Sequence, residues 1–327
     1  MPSTRFAVVL VALLAACAAP NATLAPPGPT APNPTAPTPT VVPGMVRASI
    51  PLPHSFVGID VGPDGVWLRS LDGHVTRIDA LTNRITADIE VKPSEFGEIK
   101  VGAGAVWVTD FVHDTLLRID PKLAKVAKSI TVGTNPEWLT VTPETVWVSN
   151  HRAGSISKVD VASNTVAATY TFAPTGTSGP RGIVLLDGGV WTSAANSNSV
   201  YRLDPKSGSV VKELLIAKED IHSLMTDGQF LYLPAGGALT QIDPKTNAVT
   251  KELRYDAFPM VFARSTFWSI AGRSLIRLDP DTFESVASWQ LVADAEPELD
   301  VPGMAFDNDE FWILNTQHTL LRVAIPD

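Results

Sequence analysis

Three side chains that can bind charged groups or exchange protons fall at equivalent places in successive segments of this chain: Glu137, Arg181 and His222. Gathered at one place, an acid, a guanidinium and an imidazole can orient a partly apolar ligand. Glu137 and Arg181 can equally form an ion pair that is only structural. Trp138 and His151 complete the candidate ligand-binding set. Second choices nearby are Asp110, Asn150, Asn196 and Asn198.

The segments are equivalent because the chain repeats one unit along most of its length. Residues 145–160, TVWVSNHRAGSISKVD, read as a strand, a turn and a second strand, and six other segments share this pattern. The repeated aromatic residues lie 36 to 44 residues apart: Trp67, Trp107, Trp147, Trp191, Tyr232, Trp268 and Trp312. Seven such units, each with room for four short strands, predict an all-β fold, a seven-bladed β-propeller.

The innermost strand of each blade is expected to begin at the mouth of the central channel. Counting ten residues back from the aromatic anchors reaches Glu137, Arg181 and His222 in the third, fourth and fifth blades. The equivalent positions in the other four blades hold small or apolar residues: Val57, Gly97, Met260 and Gly303. Glu98 directly follows Gly97. The mouth is therefore predicted to be polar on one side.

The two ends of the repeat are complementary. The last unit, near 303–325, lacks an outermost strand, whereas residues 46–50 resemble outermost strands but follow no unit of their own. We expect residues 45–51 to complete the seventh blade, which closes the ring and leaves no open edge between its ends.

The repeated residues themselves are predicted to serve the architecture. A tryptophan present in almost every blade is expected to pack in the core of each. The third strand usually ends in an aspartate followed by proline, and such aspartates are typical turn residues. All six histidines fall on the loops of the face that carries the channel mouth, which favours that face as the functional one.

The first 44 residues have a different composition. Arg5 precedes an apolar run at 6–16, whose length fits a secretory signal and is too short for a membrane span. The run ends in Leu-Ala-Ala-Cys, which resembles the lipobox of bacterial lipoproteins, and Cys17 is the only cysteine in the chain. We expect a signal peptide over 1–16, a lipidated Cys17 with a Pro-, Thr- and Ala-rich linker over 17–44, and the propeller over 45–327. The protein would then be anchored by lipid to a membrane of the cell envelope, outside the cytoplasm.

Composition excludes several classes of function. The chain carries 25 Lys plus Arg against 34 Asp plus Glu, a formal net charge of −9, which argues against a nucleic-acid partner. The sequence contains no Gly-rich phosphate loop, no Gly-x-Ser-x-Gly and no metal-binding pattern of cysteines or paired histidines. We expect a monomer without a metal site or cofactor.

The repeated unit VW(V/T)(T/S)-loop-(R/K)(I/V/L)DP across 45–325 resembles the seven-bladed propellers of the YVTN and streptogramin lyase (virginiamycin B lyase) type. For a lyase, the resemblance implies elimination across an ester by a histidine base assisted by Mg²⁺. Asp220-Ile221-His222 partly matches the expected acid two residues before a histidine, with aspartate in place of glutamate. Arg181 stands where a second histidine is expected. For a lactonase-like hydrolase with a divalent ion, Glu137 and Asn198 are the candidate ligands.

Two functions follow from these observations. The favoured one is a tethered propeller that binds a small molecule, a peptide or an envelope protein at its channel mouth without catalysis. The alternative is an extracytoplasmic lyase or lactonase, in which His222 is the base and Asp220 orients a hydrated Mg²⁺.

Replacing Cys17 with Ser should release the protein from the membrane, because no other cysteine can be acylated. Fractionation of expressing bacteria and metabolic labelling with palmitate measure this. An unlabelled wild-type protein, or a C17S variant that stays in the membrane fraction, would contradict the lipid anchor.

Overall fold

The computed structural model of this chain describes residues 37–171, 179–194, 197–216, 218, 221, 223–235, 237–254 and 259–325. These residues form seven four-stranded antiparallel sheets, and neighbouring sheets pack against each other around a ring. The predicted all-β, seven-bladed propeller is therefore confirmed. No helix among the described residues is long and apolar enough to cross a membrane.

Each blade runs from an innermost to an outermost strand. Blade 1 contains β2 (Phe56–Gly62), β3 (Gly65–Ser70), β4 (His74–Asp79) and β5 (Arg84–Glu90). Blade 2 contains β6 (Ile99–Gly102), β7 (Ala105–Asp110), β8 (Thr115–Asp120) and β9 (Lys125–Thr131). Blade 3 contains β10 (Pro136–Val141), β11 (Thr145–Asn150), β12 (Ser155–Asp160) and β13 (Thr165–Thr171). Blade 4 contains β14 (Pro180–Leu186), β15 (Gly189–Ala194), β16 (Ser199–Leu203) and β17 (Val210–Leu215).

The remaining three blades follow the same order. Blade 5 contains β18 (Met225–Thr226), β19 (Leu231–Ala235), β20 (Ala238–Asp243) and β21 (Ala248–Arg254). Blade 6 contains β22 (Met260–Ala263), β23 (Thr266–Ala271), β24 (Ser274–Leu278) and β25 (Ser285–Gln290). Blade 7 contains β26 (Gly303–Asp307), β27 (Glu310–Asn315), β28 (Thr319–Ala324) and β1 (Val46–Pro51).

The ring closes through the N-terminal strand. β1 pairs with β28 in antiparallel register, with Ile50 opposite Leu320 and Pro51 opposite Thr319. The predicted completion of the seventh blade is thus confirmed. Before β1, Thr40 forms a bridge with Trp289 of β25 and so ties the last part of the Pro-rich segment to the edge of blade 6.

The core lies between the blades. Both faces of the second strands are largely buried, as in β7, where all six residues are buried. The seven aromatic anchors are at most 2% exposed, so they are core residues as predicted. Trp289, outside the anchor set, stacks on Trp268 at a centroid distance of 5.5 Å.

The aspartates at the ends of the third strands act as predicted. In Asp79, Asp120, Asp160, Asp204, Asp243 and Asp279, one carboxylate oxygen accepts hydrogen bonds from backbone N–H groups two or three residues on. These bonds favour the ionised form and hold the pKa of each carboxyl below its usual value. The aspartates therefore fix turns on the face opposite the histidines.

A basic residue of the third strand connects each of several blades to the next. Arg118 lies over the ring of Trp107 at 5.3 Å and donates to the carbonyl of Val161 in blade 3. The same arrangement recurs at Arg77, Lys158, Arg202 and Arg322, each above the tryptophan of its own blade. Arg322 of blade 7 donates to the carbonyl of Ala80 in blade 1, so this link also spans the closure of the ring.

Replacing Arg322 with Gln should lower the free energy of unfolding by about 2 kcal/mol, because its hydrogen bonds to the neighbouring blade and its ion pair with Glu310 are lost. Arg277 is the matched control, since it lies over Trp289 at 5.9 Å but is exposed. Arg277→Gln should cost roughly 0.5–1 kcal/mol. Urea denaturation measures both free energies of unfolding. If the two variants lose the same stability, the contacts of Arg322 with the neighbouring blade do not stabilise the fold.

Candidate functional site

Backbone irregularities place two of the predicted side chains at the mouth. The register of β10 with β11 shifts between Pro136 and Leu139, and that of β14 with β15 shifts between Pro180 and Ile183. Each shift sets two residues against one on the partner strand, which is a β-bulge. Glu137 and Arg181 occupy these bulges, where the normal alternation of side chains between faces is interrupted.

Glu137 lies between a guanidinium and an imidazole. Its Oε1 is 3.4 Å from Nη1 of Arg181, and its Oε2 is 3.8 Å from Nδ1 of His151. The Glu137 side chain keeps only 12% of its exposure, and burial raises the pKa of its carboxyl above the usual value, which Arg181 offsets only in part. The structure thus brings Glu137, Arg181 and His151 together around an acid whose charge is incompletely stabilised.

Hydroxyl groups from the second strands support these innermost strands. Thr109 of blade 2 donates to the carbonyl of Glu137 in blade 3, while its oxygen accepts from the backbone N–H of Glu98. Ser149 exchanges hydrogen bonds with the backbone of Trp138. The residues two places after the anchors are polar in blades 1 to 4 and apolar in blades 5 to 7, in chain order Arg69, Thr109, Ser149, Ser193, Pro234, Ile270 and Leu314. The polar half of the mouth therefore extends into the layer behind it.

A second group of charged residues lies further along the channel wall. Sequence analysis missed it because it considered only the positions ten residues before each aromatic anchor. Lys100 donates to Glu98 at 2.8 Å, and Asp60 accepts from the backbone N–H of Val101. Burial raises the pKa of Asp60. Burial alone would lower the pKa of Lys100, but Glu98 and Asp60 outweigh it and raise that pKa. Asp60 and Lys100 each lie seven residues before an anchor, so a second count along the repeat finds them.

Arg69 is the other charged residue that sequence analysis missed. It is 2% exposed, and its Nη2 donates to the carbonyls of Ser94 and Phe96 in the connection between blades 1 and 2. Burial lowers the pKa of Arg69 to about 10, although Asp110 and Glu98 oppose this shift. Its Nη1 is buried without a hydrogen-bond partner among the described residues. The sequence did contain a signal for Arg69: blades 2 to 4 carry a serine or threonine two residues after the aromatic anchor, whereas blade 1 carries this arginine.

Other predicted site residues are divided between the core and the loops. The ring of Trp138 packs, partly buried, against the hydrophobic cluster between blades 3 and 4. Asn150 is buried and donates to Ser155 and Ser157 within its own blade. Asn198 lies at a positive φ of 48° just before β16.

The predicted catalytic pair lies outside the described residues. Asp220 and His222 are not part of the described structure, and neither are Asn196 and Cys17. Gly97, the ring position in blade 2, has a φ of 132°, and a Cβ there would lie 2.4 Å from the carbonyl oxygen of Thr109. Glu98, the next residue, therefore supplies the first side chain of that blade.

The described part of the mouth does not fit a Mg²⁺ site. Mg²⁺ prefers octahedral coordination by oxygens, with one or two carboxylates among them. Glu98 is paired with Lys100, and Glu137 with Arg181. No three carboxylate or imidazole groups converge there among the described residues, and the one group that does converge lies elsewhere. Glu137 thus remains a candidate for hydrogen bonding or proton transfer rather than for coordination.

The fold and this mouth define a seven-bladed β-propeller with a polar half-ring on one face. A hydrazine synthase of Kuenenia stuttgartiensis has the same fold, with a TM-score of 0.69 and 17% sequence identity over 84% of this chain and 96% of that one. A streptogramin B lyase matches with a TM-score of 0.68 and 18% identity over 85% of this chain and 97% of that one. Virginiamycin B lyase from Staphylococcus aureus matches with a TM-score of 0.65 and 18% identity over 85% of this chain and 99% of that one. No protein-family model matches the chain, and no curated protein does. At these identities the likeness confirms the streptogramin-lyase-like propeller fold and leaves the activity open.

The raised pKa of Glu137 predicts a specific pH dependence of stability. A folded carboxyl that keeps its proton longer than the unfolded chain does stabilises the fold at low pH, and this contribution is lost as the pH rises through its folded pKa. The free energy of unfolding of the wild type minus that of Glu137→Gln should therefore fall as the pH rises above the ordinary carboxyl range, about pH 4. The exposed Glu144→Gln variant is the control, and a Glu137 difference that stays constant with pH would contradict the burial argument.

Proposed function

We propose that this protein is a lipid-anchored, extracytoplasmic binding propeller that takes a small, partly apolar, peptide-like ligand at its channel mouth. The observation that carries the proposal is the Glu137 carboxyl, buried between Arg181 and His151 with a raised pKa. A ligand carboxylate or carbonyl can accept from Arg181, while a ligand amide or hydroxyl can donate to Glu137.

The shape of the polar surface supports a ligand of mixed character. Charged residues occupy the innermost strands of blades 1 to 4, whereas β22 and β26 begin with Met260 and Gly303. Pockets for organic ligands typically combine an apolar wall with a few fixed polar groups. An apolar part of the ligand would lie toward blades 6 and 7, and its polar part toward Glu137 and Arg181.

A second candidate function is catalysis on an ester or lactone, which the raised pKa of Glu137 favours. Groups with perturbed pKa values in a cleft are candidates for proton transfer. In this case Glu137 would exchange a proton with the substrate, and the sequence resemblance implies His222 as the base, with Asp220 and Mg²⁺. Turnover of a panel of lactones and cyclic depsipeptides that is lost with EDTA and with His222→Ala would establish this function.

Binding is tested with the same panel, extended by short peptides, using calorimetry on the full-length protein. Glu137→Gln and Arg181→Met should each weaken the affinity for any bound compound about 10- to 100-fold, since each removes a hydrogen bond to a charged group. Glu144→Gln and Lys245→Met change exposed residues on the opposite face and should leave affinity unchanged. Equal affinities in all four variants would remove the mouth as the binding site.

A further inference from the structure

A cluster of two imidazoles and two carboxylates lies apart from the channel mouth. His54 belongs to the connection between β1 and β2, Asp72 to the turn between β3 and β4, His74 to the start of β4, and Asp88 to β5. Thr76 pairs with Asp88 across β4 and β5, so His74, two residues earlier, lies on the same face of the sheet as Asp88. Four parts of the chain thus converge at the seam between blades 7 and 1.

The distances within this cluster are short. Nδ1 of His54 is 3.0 Å from Oδ2 of Asp72, and its Nε2 is 3.3 Å from Oδ2 of Asp88. Nδ1 of His74 is 3.3 Å from Oδ1 of Asp88. One ligand atom from each of His54, Asp72 and His74 fits within a span of 4.8 Å.

The two histidine rings pack directly against each other. Their rings stack at a centroid distance of 3.7 Å and an interplanar angle of 15°. Nδ1 of His74 is buried, and despite its closeness to Asp88 it has no hydrogen bond of acceptable geometry among the described residues. A buried nitrogen with an unused lone pair or proton is costly unless something binds it.

We propose that His54, Asp72 and His74 bind one divalent transition-metal ion of the Zn²⁺ class once the two rings turn out of their stack. Imidazole and carboxylate are ligands that Zn²⁺ and Co²⁺ accept in tetrahedral sites, and a water can supply the fourth position. With bonds of about 2.0–2.1 Å, tetrahedral donors lie roughly 3.4 Å apart, and Nδ1 of His54 lies 3.0 Å from Oδ2 of Asp72. Asp88 contacts the other nitrogen of His54 and so orients the imidazole. Mg²⁺ is disfavoured because two of the three donors are nitrogens.

The surroundings support both access and orientation. The Asp72 side chain keeps 57% of its exposure, so an ion can enter from solvent and Asp72 can close onto it. Oδ1 of Asp88 accepts a hydrogen bond from the hydroxyl of Thr76, and this bond fixes the orientation of the Asp88 carboxylate. Such outer contacts hold metal ligands in place.

A metal here would join the connection that follows β1 to blade 1. Because β1 belongs to blade 7, the ion would fasten the closure of the ring from the outside. Ligands that bind only the folded state raise its stability, so the melting temperature should rise by about 5 °C at a free Zn²⁺ concentration 100 times Kd.

The test uses the full-length, untagged protein freed of metal with a chelator. Calorimetry with Zn²⁺ should give one site per chain, and Co²⁺ should give the visible absorption of a tetrahedral complex with nitrogen and oxygen ligands. His54→Gln and His74→Gln should each weaken Zn²⁺ binding at least 10-fold and abolish the rise in melting temperature. Asp72→Asn changes an exposed residue and serves as a third variant that does not threaten folding.

His113→Gln is the matched control. His113 occupies the corresponding loop of blade 2 and also contacts an aspartate, Asp110 at 2.8 Å. Within the described part of the chain it belongs to no metal-binding group, so this variant should bind Zn²⁺ like the wild type. Stoichiometric Zn²⁺ binding that survives all three substitutions, or no binding and no thermal shift in the wild type, would overturn the proposal.

Discussion

The structure depends on contacts that repeat from blade to blade, above all the basic side chain that lies over a buried tryptophan and reaches into the next sheet. A propeller blade buries both faces, so each sheet is stable only against its neighbours. Arg118 combines these tasks, since its stem and charge cover Trp107 while its guanidinium donates to the turn of blade 3. The equivalent link from Arg322 to blade 1 makes the ring continuous.

The contacts between blades hold the channel mouth in place, so that the buried Glu137 carboxyl stays next to Arg181 although its burial is unfavourable. Glu137 and Arg181 sit on bulges at the ends of adjacent innermost strands, and hydroxyl groups from the layer behind fix the backbone around Glu137. A single imperfect ion pair with a buried acid costs stability and is retained most readily where it serves recognition or proton transfer. The fold supplies that stability from its many repeated contacts between blades.

The architecture could be predicted from the sequence because each blade carries its own aromatic anchor and alternating strands, and blades 1 to 6 also carry a turn aspartate. Counting from the anchors also found Glu137 and Arg181, since the bulges occur at the same place in both blades. Arg69 escaped because it replaces a hydroxyl at a position otherwise assigned to packing. The His54 cluster was not predictable, because its members come from four parts of the chain with no characteristic spacing and meet only in the folded ring.

The bridge between Thr40 and β25 has a mechanical consequence. Any tension along the chain before residue 37 reaches the wheel at the rim of blade 6 and then at β1. β1, the strand that closes the ring, would therefore bear the load only after the bridge at Thr40 has broken. A force that peels β1 away would expose an unpaired strand edge and open the wheel at its seam.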